Sequence, residues 1–97
     1  MPVPEKLPED PWAYFIEVPG AILVDLKDLR PSRARARGII NARTYMWMAY
    51  TGAMGKREPL TLRDNGDGTY KIVDGNSTYA VAVASGWGKI PGLVKGR

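Results

Sequence analysis

The chain contains neither cysteine nor histidine. Without thiols there is no disulfide staple, no thiol nucleophile and no Cys/His zinc site, and without imidazole the commonest acid–base side chain is gone. Any chemistry falls to carboxylates, Lys, Tyr, Ser/Thr, backbone amides or a borrowed ion. Long apolar runs are missing too: none approaches the roughly 18 to 20 residues that span a bilayer. The opening MPVPEKLPEDP is acidic and proline-rich, unlike a signal peptide. These absences read as an intracellular, cytoplasmic chain without a membrane partner.

What remains is a composition of 44% hydrophobic and 25% charged residues over 97 positions, that of an ordinary globular protein. A chain of this length hides roughly 65% of its unfolded surface, enough for one modest core. The net charge of +4 conceals an uneven distribution. Residues 1–28 carry six acidic side chains against two basic ones, whereas residues 30–63 carry eight basic side chains against Glu58 alone. The middle third is therefore an anion-attracting block.

Five of the eight prolines fall in the first 19 residues, where each removes an amide donor and favours extended geometry, so residues 1–19 read as an arm and residues 20–97 as a single domain. Trp12, Tyr14, Phe15 and Ile16 are too apolar for a free tail and are expected to dock on the body or on a partner. Residues 21–26 (AILVDL) have the pattern of a buried strand. Pro31-Ser32 is a helix-start signal, and Ile39, Ala42, Met46, Ala49, Tyr50 and Ala53 make one apolar helix face to about Gly55. Leu60 and Leu62 alternate with polar residues, Asp64 to Gly68 supply turn residues, and Tyr70 and Ile72 alternate again, which predicts a hairpin. Asp74-Gly75-Asn76 opens a second helix with an expected stripe of Ala80, Val83, Ala84 and Trp87, and Ile90 to Val94 form the last strand. The order is β-α-β-β-α-β, an α/β (α+β) domain with two main helices on a small mixed sheet.

The strongest local signal is Val73-Asp74-Gly75-Asn76-Ser77-Thr78-Tyr79, where a strand ends on glycine and a helix begins. Free amides and the positive dipole end at a helix N-terminus favour an anion, and Ser77 and Thr78 add hydroxyls, so phosphate is the natural guest. The competing reading is that Asn76 or Ser77 caps the helix while Gly75 relieves a turn. Arg30, Arg33, Arg35, Arg37 and Arg43 form the second feature. Arginines in a first helical turn oppose the dipole unless an anion answers them, and Arg33 and Arg37 are spaced to share a face. They read either as grips for a phosphate or nucleic-acid backbone or as a solvated basic face. Asp25, Asp28, Asp74 and Glu58 are the carboxylates available for acid–base work or magnesium, with Asp25 and Asp74 both near strand ends, against a capping role. The DNGDG stretch is not a calcium loop, since the bidentate Glu that such a loop needs would fall on Gly75. Trp47, Met48 and Met54 lie off the main apolar face and mark either a partner surface or a wide buried one.

The element order and these motifs resemble the ParB/sulfiredoxin fold, the ParB N-terminal or ParB-like nuclease domain. The family runs from a strand with a Leu-x-Pro entry through a helix and "PI-x-V" to a strand ending in DG or GG and a helix with "A-x-x-x-G-x-x-x-(I/V)-P-x-x-V". VDLKDLRPSR, EPLTLRD, YKIVDGNST and YAVAVASGWGKIPGLV match these in turn, over residues 21–94. The resemblance implies nucleotide phosphates at the helix N-terminus, held by Gly75, Asn76, Ser77 and Thr78. Sulfiredoxins place cysteine where Ser77 stands and arginine where Thr78 stands, so their thiol chemistry is not implied. ParB proteins typically carry Glu-Arg-Arg or His-His-Arg in place of Asn76-Ser77-Thr78, which leaves Arg33, Arg35 or Arg37 to supply the counter-charge. Nor does the chain contain their helix-turn-helix domain, so a stand-alone core without centromere binding is implied.

The expected function is a nucleotide-phosphate-binding module associated with nucleic-acid metabolism, its ligand a nucleoside triphosphate with magnesium or another phosphate, and turnover left open. The alternatives are a magnesium-dependent nuclease or nucleotide hydrolase using Asp74, Asp25 or Glu58, and a nucleic-acid or protein interaction domain using the Arg30–Arg43 block.

Overall fold

In the computed structural model, which describes residues 2–96, eight elements follow one another: α1 (Pro11–Tyr14), β1 (Ile22–Asp25), β2 (Leu29–Arg30), α2 (Ala36–Tyr50), β3 (Leu60–Asp64), β4 (Tyr70–Asp74), α3 (Asn76–Ala84) and β5 (Lys89–Val94). A 3₁₀ turn, Leu26–Asp28, joins β1 to β2. The sheet has five strands in the order β1-β5-β3-β4-β2. The two β1–β5 and β3–β4 pairs are antiparallel, whereas β3–β5 and β4–β2 are parallel, so this is a mixed α+β sheet. No helix among the described residues is long and apolar enough to cross a membrane.

The hairpin forms as its alternation predicts: Leu62 and Ile72 pair and are buried, and the turn between the strands is held by its own acids. Gly66 N–H donates to Asp64 Oδ1 at 2.7 Å and Thr69 N–H to Asp67 Oδ1 at 3.0 Å, the local Asx bonding that suits Asp to turns. The α2 stripe is also observed, with Ala42, Met46 and Ala49 buried.

Three expectations are corrected. The first helix starts at Ala36 instead of Pro31-Ser32 and ends at Tyr50 instead of Gly55. Ser32 N–H donates to Asn76 Oδ1 at 2.7 Å, which anchors the segment before the helix to a distant element. The second helix buries Thr78, Val81 and Ala82, while Val83 is exposed and Trp87 is buried only after the helix has ended. Its residues from Tyr79 onward are almost all apolar, so periodicity does not set the phase; packing does. Residues 11–14 make one helical turn with Pro11 at its start, where the missing N–H costs nothing.

Leu7, Tyr14 and Phe15 belong to the core cluster with Met46, Leu62, Ile72 and Trp87. Trp87 Nε1–H donates to Leu7 O at 2.9 Å, and Glu9 accepts from the amides of Gly88 and Lys89. Ring stacking continues outward from Tyr14 to Tyr50 and from Tyr50 to Trp47, at centroid distances of 5.1 and 5.2 Å.

Tyr14 donates its hydroxyl proton to Pro8 O at 2.7 Å. Burial pushes its phenol well above the usual value, and the neighbouring Tyr50 and Asp10 add to the shift. The folded chain therefore holds this proton at a pH where the unfolded chain releases it. The associated stability is complete below about pH 10, the ordinary phenol value, and falls above it by at most about 1.4 kcal/mol per pH unit. Urea unfolding followed across that range should show this alkaline loss, and Tyr14→Phe should flatten it.

Candidate functional site

The end of β4 and the start of α3 meet at Gly75, the N-cap of α3, which has φ +105°. That left-handed value strains any residue with a Cβ, and a Cβ here would also run into the Leu60 side chain at the start of β3. The β3–β4 register slips between Thr61 and Leu62, so that Thr61 lies opposite Asp74 beside the turn.

No side chain caps α3. Its first backbone acceptor bond is Tyr79 N–H to Gly75 O at 2.9 Å, so the amides of residues 76–78 precede the helical ladder. Asn76, one of the two candidate caps, turns its oxygen to Ser32 instead. The N-terminus of α2 is likewise without a side-chain cap, and it comes against α3: a Cβ on Gly38 would stand 2.9 Å from Ser77 Oγ. Two positive dipole ends thus converge.

Around this junction lie two open grooves. One, of about 410 Å³, is lined by Gly38, Asn41, Ala42 and Tyr45, spaced along one face of α2, and by Arg57 and residues 74–78. The other, of about 310 Å³, lies between Arg57 to Thr61 and Asp74, Gly75 and Thr78. They share Arg57, Asp74, Gly75 and Thr78.

Arg57 lines both grooves, and the sequence did not single it out. Its guanidinium reaches Thr78 Oγ1 at 3.4 Å, and its backbone is clasped by the N-terminal segment: Arg57 N–H donates to Tyr14 O at 2.8 Å and Arg57 O accepts from Ile16 N–H at 2.9 Å. Thr78 is the single buried polar residue among those described, and this contact answers its hydroxyl. Asn41 and Tyr45 were also missed; their spacing from Gly38 on one helix face was the available signal.

Among the expected site residues, Gly75, Asn76, Ser77 and Thr78 come together with Asp74, and Glu58 lines the second groove. Asp25 does not join them, because it pairs with Lys89 at 3.5 Å and lines neither groove. Arg33 and Arg35 precede the helix, so Arg33 and Arg37 do not share a helix face, and none of the three lines the grooves. The described residues contain no group of three or more Asp or Glu that could hold a metal ion.

No protein-family model and no curated protein matches the chain, but solved structures do. It superposes on a free serine kinase in complex with AMP (TM-score 0.63, 19% identity, 78% of this chain and 31% of the kinase). It likewise matches sulfiredoxin from Arabidopsis thaliana (TM-score 0.58, 17% identity, 81% and 88%). This is the ParB/sulfiredoxin-like fold. The C-terminally truncated chromosome-partitioning protein ParB from Caulobacter crescentus, complexed with CTP-γ-S, shares it at TM-score 0.55 and 19% identity, over 80% of this chain and 45% of that one. The chain thus spans about a third of the kinase and under half of ParB. The fold is the one the resemblance implied; in this chain a glycine-led helix N-terminus lies beside Leu60 at the start of β3.

Proposed function

We propose that the chain binds a nucleotide or another phosphate ligand at the N-terminus of α3, with Gly75, Asn76, Ser77 and Thr78 as the cradle and Arg57 as the nearest counter-charge. The observation that carries this reading is the convergence of two helix N-termini without side-chain caps, at Gly38 and Ser77, on a groove that Arg57 lines. Such ends present unpaired donors and positive potential together, which is what a phosphate needs. Arg33, Arg35 and Arg37, exposed just before and at the start of α2, raise the potential along the approach. Two neighbours in fold, the kinase and ParB, are described with AMP and CTP-γ-S, which agrees with a nucleotide as the ligand.

Glu58 and Asp74 on the same groove give the second reading, a magnesium-dependent nuclease or nucleotide hydrolase. Asp74→Asn separates the two. In a binding module the substitution removes a like charge beside the anion and should tighten phosphate binding by about 0.3 to 1 kcal/mol, roughly two- to fivefold. In an enzyme it should abolish magnesium-dependent cleavage of a nucleotide or oligonucleotide. Calorimetric titration with phosphate and ATP, alongside a hydrolysis assay with magnesium, reads both. An Asp74→Asn chain that neither tightens binding nor loses a measured activity would reduce Asp74 to a turn residue.

A further inference from the structure

Leu29, Leu62 and Ile72 face the helices and are buried, so the residues next to them in each strand lie on the other face of the sheet. Arg63 is paired with Lys71 between β3 and β4, and Lys71 with Arg30 between β4 and β2. Continuing the β3–β5 register one step past Leu62 and Val94 brings Lys95 beside Arg63, and Lys95 N–H donates to Leu62 O at 2.8 Å. Four exposed cations, Arg30, Lys71, Arg63 and Lys95, therefore stand in one row across the sheet. Strands lie about 4.8 Å apart, so the row runs roughly 14 Å.

Like charges directly opposite on a sheet are destabilising, and little here relieves them. Asp67, its carboxylate kept ionised by the amide and hydroxyl of Thr69, offsets Arg30 at one end of the row only. Glu58 shares a shallow hollow with Thr61, Leu93 and Lys95 without pairing to Lys95, and the ion pair found among the described residues is Asp25–Lys89. Arg30 spends one nitrogen on the carbonyls of Lys27 and Leu29 and keeps its charge outward.

We infer that this face of the sheet binds the phosphate backbone of a nucleic acid. A regular row of cations without interleaved acids complements a regular row of phosphates. The side chains flanking the row, Thr61, Val73 and Leu93, include no aromatic, so bases are not stacked and sequence is not read. They also lack the aromatic anchors around which protein interfaces are built, which favours nucleic acid over an acidic protein. The row shares no residue with the Gly75–Thr78 cradle, although Glu58 and Thr61 lie between Lys95 and the second groove, and the inference does not depend on the function proposed for the cradle.

The test is fluorescence anisotropy of a short labelled oligothymidylate with the full chain. Four phosphate contacts on a single strand give a slope of log K against log salt near −3, so binding should weaken about fiftyfold between roughly 50 and 200 mM salt. Arg63→Gln with Lys71→Gln should about halve that slope and weaken binding at low salt, while the melting temperature holds or rises because two opposed charges are gone. Exchanging the cations, Arg63→Lys with Lys71→Arg, should retain binding. Phosphate and ATP binding should be unchanged in both double variants. Unchanged affinity and slope in the Gln variant, absence of binding at low salt, or loss of binding in the exchanged variant would overturn the inference. Competition by polyglutamate as effective as by unlabelled oligonucleotide would overturn it in favour of an acidic protein partner.

Discussion

Replacing Gly75 by alanine is expected to remove roughly 2 to 5 kcal/mol of folding stability. Two effects combine. Holding a residue with a Cβ in the left-handed region costs about 1 to 2 kcal/mol, and Gly75 sits at φ +105°. The added methyl also meets the buried Leu60 side chain, and forcing atoms into a filled site typically costs a further ~1 to 3 kcal/mol. Gly66 and Gly68 in the hairpin turn are the controls: their φ angles are also positive, at +85° and +87°, but a Cβ on either would meet nothing within 4 Å. Gly66→Ala or Gly68→Ala should therefore cost only the conformational part, and the excess at Gly75 measured by chemical denaturation reports the collision. Equal losses at the three positions would mean that Leu60 moves aside and that the junction is looser than described.

Arg57→Ala is expected to carry the largest effect on ligand binding. A hydrogen bond to a charged group contributes about 1.5 to 3 kcal/mol, so phosphate affinity should fall roughly 10- to 150-fold. The fold should survive, because the bonds from Arg57 to Tyr14 and Ile16 are made by its backbone, which alanine keeps. Arg57→Lys should fall between, since the ammonium keeps the charge and loses the planar fork. Calorimetric titration with phosphate and ATP measures all three proteins, and affinity unchanged in Arg57→Ala would remove this residue from the site.

The parts of this chain that were legible in its sequence depend on short-range pattern. Ala42, Met46 and Ala49 repeat at helical spacing, and Leu60, Leu62, Tyr70 and Ile72 alternate around a run of turn residues, so α2 and the hairpin follow. Gly75 was legible because a glycine between a strand pattern and a helix pattern has few other uses. The illegible parts are set by contacts distant in sequence. The start of α2 depends on Ser32 meeting Asn76, and the phase of α3 depends on which of many apolar residues meets the sheet. Arg57 is one cation among eight in residues 30–63, and only its pairing with Tyr14 and Ile16 sets it beside Thr78. The cation row gathers residues 30, 63, 71 and 95, which no window of sequence contains together. The reverse also holds: Arg33, Arg35 and Arg37 look like one cluster in sequence but are divided between a loop and the start of a helix.

The most direct test of the central claim is to follow the backbone amide chemical shifts of the ¹⁵N-labelled chain as inorganic phosphate, ATP and CTP are added in turn. Unpaired amides at a helix end are the donors in this account. The largest and saturable shifts should fall on Gly75, Asn76, Ser77, Thr78 and Tyr79, with Gly38 and the Arg57 side chain responding alongside. Largest shifts in residues 2–16 or in the turn from Asp64 to Gly68, with residues 75–79 unmoved, would contradict it.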